Sequence, residues 1–122
     1  MPGFIACPAK LGYGRQMLTP DDIRRVALAR PEAYEEPHFD IASFRVNRKI
    51  FCTIHTVEPR IMLKLDPEDR KNLVDGDAIQ AVPGAWGRHG ATFVYYERLA
   101  AARLPALMRL AWANVAPKRL LR

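Results

Sequence analysis

Between Ile41 and Leu65 three runs of alternating apolar residues follow one another with only short breaks, a pattern few folds accommodate. In Ile41–Val46, Phe44 and Val46 fall on one face and Arg45 on the other. Asn47-Arg48-Lys49 supplies a short turn, and Ile50–His55 resumes the β-rich pattern. Within that second run Ile50, Cys52 and Ile54 share one face and Phe51, Thr53 and His55 the other. Both faces are largely apolar, so this run is expected as a central strand. After a Glu58-Pro59 turn, Ile61, Leu63 and Leu65 alternate with Met62 and Lys64. Short connections between such runs predict an antiparallel meander.

The meander is bracketed by two helix starts of the same design. Thr19-Pro20-Asp21-Asp22 and Asp66-Pro67-Glu68-Asp69 each offer a capping oxygen, a proline suited to the first helical position and two acids for the positive end of the dipole. Ile23, Val26 and Ala27 place an apolar stripe on the first helix, predicted over 20–30. The second has Leu73 and Val74 as apolar contacts and stops at Asp75-Gly76. Glu32–Phe39 is polar and turn-like, with Pro37 barring a regular helix. Ile79–Val82 predicts a short strand, Ala91–Tyr96 another, and Leu104, Leu107, Met108, Ala111 and Val115 a closing helix that Pro117 ends. The order α-β-β-β-α-β-β-α predicts an α+β two-layer sandwich, an antiparallel sheet with helices on one face. Residues 1–16 lack periodicity and read as a flexible extension, with Met17 the functional beginning of a single domain over 17–122.

At 122 residues the chain can bury a core without staples, and 49% hydrophobic with 26% charged residues is ordinary for a globular protein. No run is long enough to span a bilayer. Cys7 and Cys52 lack a disulfide framework, which suggests reduced thiols and a cytoplasmic setting, with Cys52 a small buried hydrophobe. The formal charge of +6 is unevenly distributed. Arg98, Arg103, Arg109, Lys118, Arg119 and Arg122 meet no acid after Glu97, while the remaining 13 basic and 13 acidic residues cancel. A one-signed segment favours anionic partners. Lys118 and Arg119 also suit a helix C-terminus on dipole grounds alone.

The densest punctuation is Pro83-Gly84-Ala85-Trp86-Gly87-Arg88-His89-Gly90. Three glycines in eight residues mark a tightly shaped loop. Trp86 there is either a stacking surface or an anchor. Packing is the expectation, with Arg88 the residue that faces a partner.

Three blocks, taken in order, carry a resemblance. They are Glu36-Pro37-His38-Phe39 with Phe44-Arg45-Val46-Asn47-Arg48-Lys49-Ile50-Phe51, then Pro83–Gly90, then Val115-Ala116-Pro117-Lys118-Arg119-Leu120. The set resembles the MmcQ/YjbR family of small bacterial proteins over roughly 17–120. The resemblance implies a frataxin-like α+β topology and a suggested double-wing mode of DNA binding. It implies no enzymatic activity.

For nucleic acid, Arg45, Arg48 and Lys49 flank the first hairpin, Arg88 sits in the glycine-rich loop, and Lys118 and Arg119 end the chain. Hairpin and loop "wings" carrying these cations would contact phosphates, with Trp86 available to stack. The alternative is a module binding a small anion or a protein between the glycine-rich loop and the basic C-terminus. His38, His55, His89 and Cys52 have no metal-ligand spacing, so no metal or other cofactor is expected. Glycines at 84, 87 and 90 match no phosphate-binding or nucleophile motif. Glu35, Glu36 and His38 could form an acid–base cluster, but a polar loop beside proline explains them more simply, and no catalytic residue is assigned.

Overall fold

The computed structural model describes residues 17–121. The first helix, α1 (Pro20–Leu28), opens on a capping box, with the Asp22 N–H donating to Thr19 Oγ1 at 3.3 Å and the Thr19 N–H to Asp22 Oδ2 at 2.9 Å. The meander follows as β2 (Ile41–Val46), β3 (Lys49–His55) and β4 (Arg60–Lys64), preceded by an added strand β1 (Tyr34–His38). After them come α2 (Pro67–Leu73), β5 (Ile79–Ala81), a short α3 (Gly84–Arg88), β6 (Ala91–Val94) and α4 (Leu104–Val115). A 3₁₀ turn, Lys118–Leu121, follows α4. The six strands form one antiparallel sheet in the order β1-β2-β3-β4-β6-β5. The expected α+β sandwich is therefore the fold.

Three local departures matter. The stretch read as turn-like, Glu32–Phe39, contains β1, which pairs with β2 through Tyr34↔Arg45 to His38↔Ile41. Pro37 bars a helix there, as expected, but not an edge strand, where every second N–H points away from the ladder. Second, the ladder slips between Phe44 and Arg45, so that Phe44 faces Cys52 while Arg45 faces Ile50. This bulge breaks the simple alternation expected of β3. Phe51 joins Cys52 in the buried core, and Ile50 falls opposite the polar Arg45. Third, Pro83–Gly90 is not an irregular loop, since Gly84–Arg88 winds into a helical turn.

The core lies between the sheet and α1 with α4. Ile23 and Ala27 of α1, Phe44, Cys52, Ile61, Leu63 and Val94 of the sheet, and Leu107, Met108 and Ala111 of α4 are all buried in one cluster. Burial pushes the Cys52 thiol well above its ordinary pKa and leaves it an apolar filler. The other sheet face carries the cross-strand row Glu36–Ser43–Thr53–Met62–Phe93–Gln80. Long cationic side chains shield it: Arg45 Nε donates to Ser43 Oγ at 3.1 Å, and the Arg60 guanidinium lies 3.8 Å from the Phe93 ring centroid. No described helix is long and apolar enough to cross a membrane.

His55, at the end of β3, shares a 3.0 Å hydrogen bond with the Thr53 hydroxyl. Desolvation, and then the nearby Arg60 charge, lower its pKa below 6.5. The unfolded chain therefore takes up this proton first, and stability falls as pH drops through 6.5. His55→Asn removes that step. A plot of melting temperature against pH is expected to be shallower for the variant on the acid side of 6.5 than for wild type. Parallel plots would exclude His55 as the source.

Candidate nucleic-acid interface

Strand register decides which residues share an end of the sheet. Val46↔Lys49 closes the β2–β3 hairpin, Lys64↔Ala91 joins the end of β4 to the start of β6, and the Leu65 N–H donates to the Gly90 carbonyl at 2.9 Å. The start of β1 reaches the same end, where Tyr34 pairs with Arg45. So does the end of α4, whose Asn114 Nδ2 donates to the Lys64 carbonyl at 3.0 Å. Beyond it, Arg119 forms a two-pronged ion pair with Glu32, 2.7 and 2.8 Å. Arg45, Arg48, Lys49, Arg88, Lys118 and Arg119 are far apart in sequence, yet all lie at or next to this one end.

They are not equivalent there. Arg45 is folded back on the open sheet face, bonded to Ser43 and 3.8 Å from Glu36. Arg119 is engaged by Glu32, whose pKa the guanidinium lowers in return. Arg48, Lys49, Arg88 and Lys118 are exposed, and among the described residues none of them has an acidic partner within ion-pair distance. Acids at this end have local duties: Asp66 caps α2, and Glu68 and Asp69 occupy its first turn. The excess charge of the last 25 positions does not form one surface. Arg98 pairs with Asp77 at 3.4 Å beside the Ile79–Val94 end of the sheet, the opposite pole.

The hairpin tip has an unusual backbone. Asn47 and Arg48 both take positive φ, 53° and 67°. That is the two-residue geometry matching strand twist. Asparagine tolerates it and glycine prefers it, whereas arginine there costs about 1 kcal/mol. A cation is kept at the tip against a conformational preference.

Trp86 corrects the sequence expectation most sharply. The indole does not anchor its segment; it is 68% exposed. The anchoring belongs to its neighbours. A Cβ on Gly87 would stand 1.6 Å from the Val82 carbonyl oxygen, and one on Gly90, at φ +95°, would stand 2.1 Å from the Leu65 carbonyl oxygen. Only hydrogen fits at either point. Arg70 of α2 completes the clasp by donating to the Gly87 carbonyl and, at 3.4 Å, to that of Ala91. Nothing in the sequence marked Arg70 for this role. Trp86 and Arg88 lie about 100° to either side of the inward-facing Gly87 around the turn.

The other candidate groups disperse. Glu35 pairs with Arg24 at 2.9 Å and Glu36 lies 3.8 Å from Arg45, so the two carboxylates are engaged by separate arginines. His38 and His55 lie toward the pole opposite His89, and Cys52 is buried in the core. Among the described residues no group of three or more His, Cys, Asp or Glu could hold a metal ion. A cavity of about 480 Å³ lies by the β1–β2 hairpin, lined by Glu35, Pro37, Phe39, Asp40, Ile41 and Ala42. Its two carboxylates and lack of a cation suit it poorly to an anion, and it is not the site expected between the glycine-rich segment and the C-terminus. Residues 1–16, read as a flexible extension, lie outside the described residues.

The YjbR family model matches residues 28–114. The matched span runs from the end of α1 to the end of α4 and includes the β2–β3 tip and the α3 clasp. A search of curated proteins gave no match.

Proposed function

Since the chain belongs to the YjbR family, we propose from its charge arrangement that it is a non-enzymatic, cytoplasmic DNA-binding protein that holds phosphates at one end of its sheet. The observation that carries this is the convergence of four unpaired, exposed cations, Arg48, Lys49, Arg88 and Lys118, from three separate parts of the chain. The β2–β3 tip and the α3 turn serve as the two wings. Two strand spacings, roughly 10 Å, separate β3, which Lys49 opens, from β6, which follows the α3 turn that carries Arg88. Contacts of this kind position a nucleic acid without reading its sequence. A small anion is the weaker alternative, because the cations spread along an edge instead of enclosing a pocket.

About four phosphate contacts predict that duplex affinity falls on the order of 100-fold between 50 and 200 mM salt. The combined variant Arg48→Gln, Lys49→Gln, Arg88→Gln, Lys118→Gln is expected to lose most binding at low salt and nearly all of that salt dependence. Fluorescence anisotropy with a labelled oligonucleotide measures both. The proposal fails if wild type binds no oligonucleotide at 50 mM salt or if the variant keeps the wild-type slope.

A further inference from the structure

An exposed indole at the cationic end has a specific use. We propose that Trp86 is a stacking platform for an unpaired base, so that the nucleic acid this end selects is single-stranded; the inference rests on the phosphate-binding reading above.

The indole is 68% exposed, while the other tryptophan, Trp112, is 3% exposed and donates to the Pro31 carbonyl at 3.0 Å. Burying an aromatic stabilises a fold, and an exposed one forgoes that gain. Trp86 is also not what holds its own segment. Gly87, Gly90 and Arg70 fix α3 against Val82, Leu65 and Ala91. A large flat side chain is thus held outward on a fixed support, two positions from the unpaired Arg88.

The chemistry favours one form of nucleic acid. In a duplex the base faces are stacked on each other, so a surface indole can reach only an end or a disrupted step. In a single strand every base offers a free face, and an aromatic beside a cationic track receives it whatever its identity. Arg88 lies in the same helical turn as the indole, Lys49 and Arg48 stand at the β2–β3 tip, and Lys118 follows α4 next to Arg119, which pairs with Glu32 before β1, so the cations continue away from the indole across this end of the sheet.

The test compares labelled single strands of roughly ten nucleotides, oligo-dT and oligo-U, with a blunt duplex of the same length. Binding is followed both by anisotropy and by intrinsic tryptophan emission. Trp112, being buried, serves as the silent reference. At least one single strand is expected to bind more tightly than the duplex and to quench the emission. Trp86→Ala is expected to weaken single-strand binding roughly 5- to 150-fold and to abolish the quench, and Trp86→Phe to retain most of the affinity. Because the indole packs against little, circular dichroism should show the alanine variant folded. Equal or tighter duplex binding, unaffected by Trp86→Ala and without a quench, overturns the stacking inference and leaves phosphate binding standing. If none of the three oligonucleotides binds at low salt, both readings are overturned.

Discussion

Gly87→Ala is expected to destabilise the protein by about 3 kcal/mol or more, the range of severe single substitutions. At roughly 4 °C per kcal/mol for a domain of this size, melting drops by about 12 °C. The cause is the 1.6 Å separation between the new Cβ and the Val82 carbonyl oxygen. That oxygen is backbone, and the Val82 N–H is held to the Ala91 carbonyl at 3.4 Å, so relief requires moving the β5–α3 connection away from β6. Gly84→Ala is the control. Its φ of +80° is unfavourable for alanine, but nothing lies within 4 Å, so the expected cost is only about 1 kcal/mol. Thermal unfolding of the two variants checks the difference. A Gly87→Ala protein that melts within about 2 °C of wild type would mean that the clasp does not hold α3 as described.

The second large effect separates the two tryptophans. Trp112→Ala should cost about 4 kcal/mol, because it empties a core position between α1 and α4 and leaves the Pro31 carbonyl without its donor. Arg30, whose guanidinium carbon lies 5.6 Å from the Trp112 ring centroid, loses its aromatic partner as well. Trp86→Ala should change stability by less than about 0.5 kcal/mol, as for a surface position without specific contacts. Denaturant unfolding of both variants measures the contrast. Comparable losses from the two would show that Trp86 is packed after all, and would remove the ground for assigning it to a partner.

The β-meander was legible because short period-two runs, such as Phe44 with Val46 and Ile61 with Leu63, report directly on strands that turn one set of side chains into the core. Both proline-containing helix starts were legible because capping is chemistry among residues at most a few positions apart. The six cations could be named from the chain as well. Which of them are free could not, because Glu32 meets Arg119 across 87 positions and no local pattern encodes that pairing. The same limit hid β1, whose strand character comes from pairing with β2 and not from its own polar sequence. It hid the bulge that turns Phe51 inward, since register is a property of two strands together.

Pro83–Gly90 shows the division most clearly. Glycine density by itself marked a tightly shaped segment, and that holds, since Gly87 and Gly90 sit where only hydrogen fits. The fate of the indole was decided elsewhere, by Val82, Leu65 and Arg70 filling the space behind the helical turn. Local sequence fixes what a backbone can do at a point. Which side chains are left over for solvent and partners depends on what the rest of the chain has already packed there.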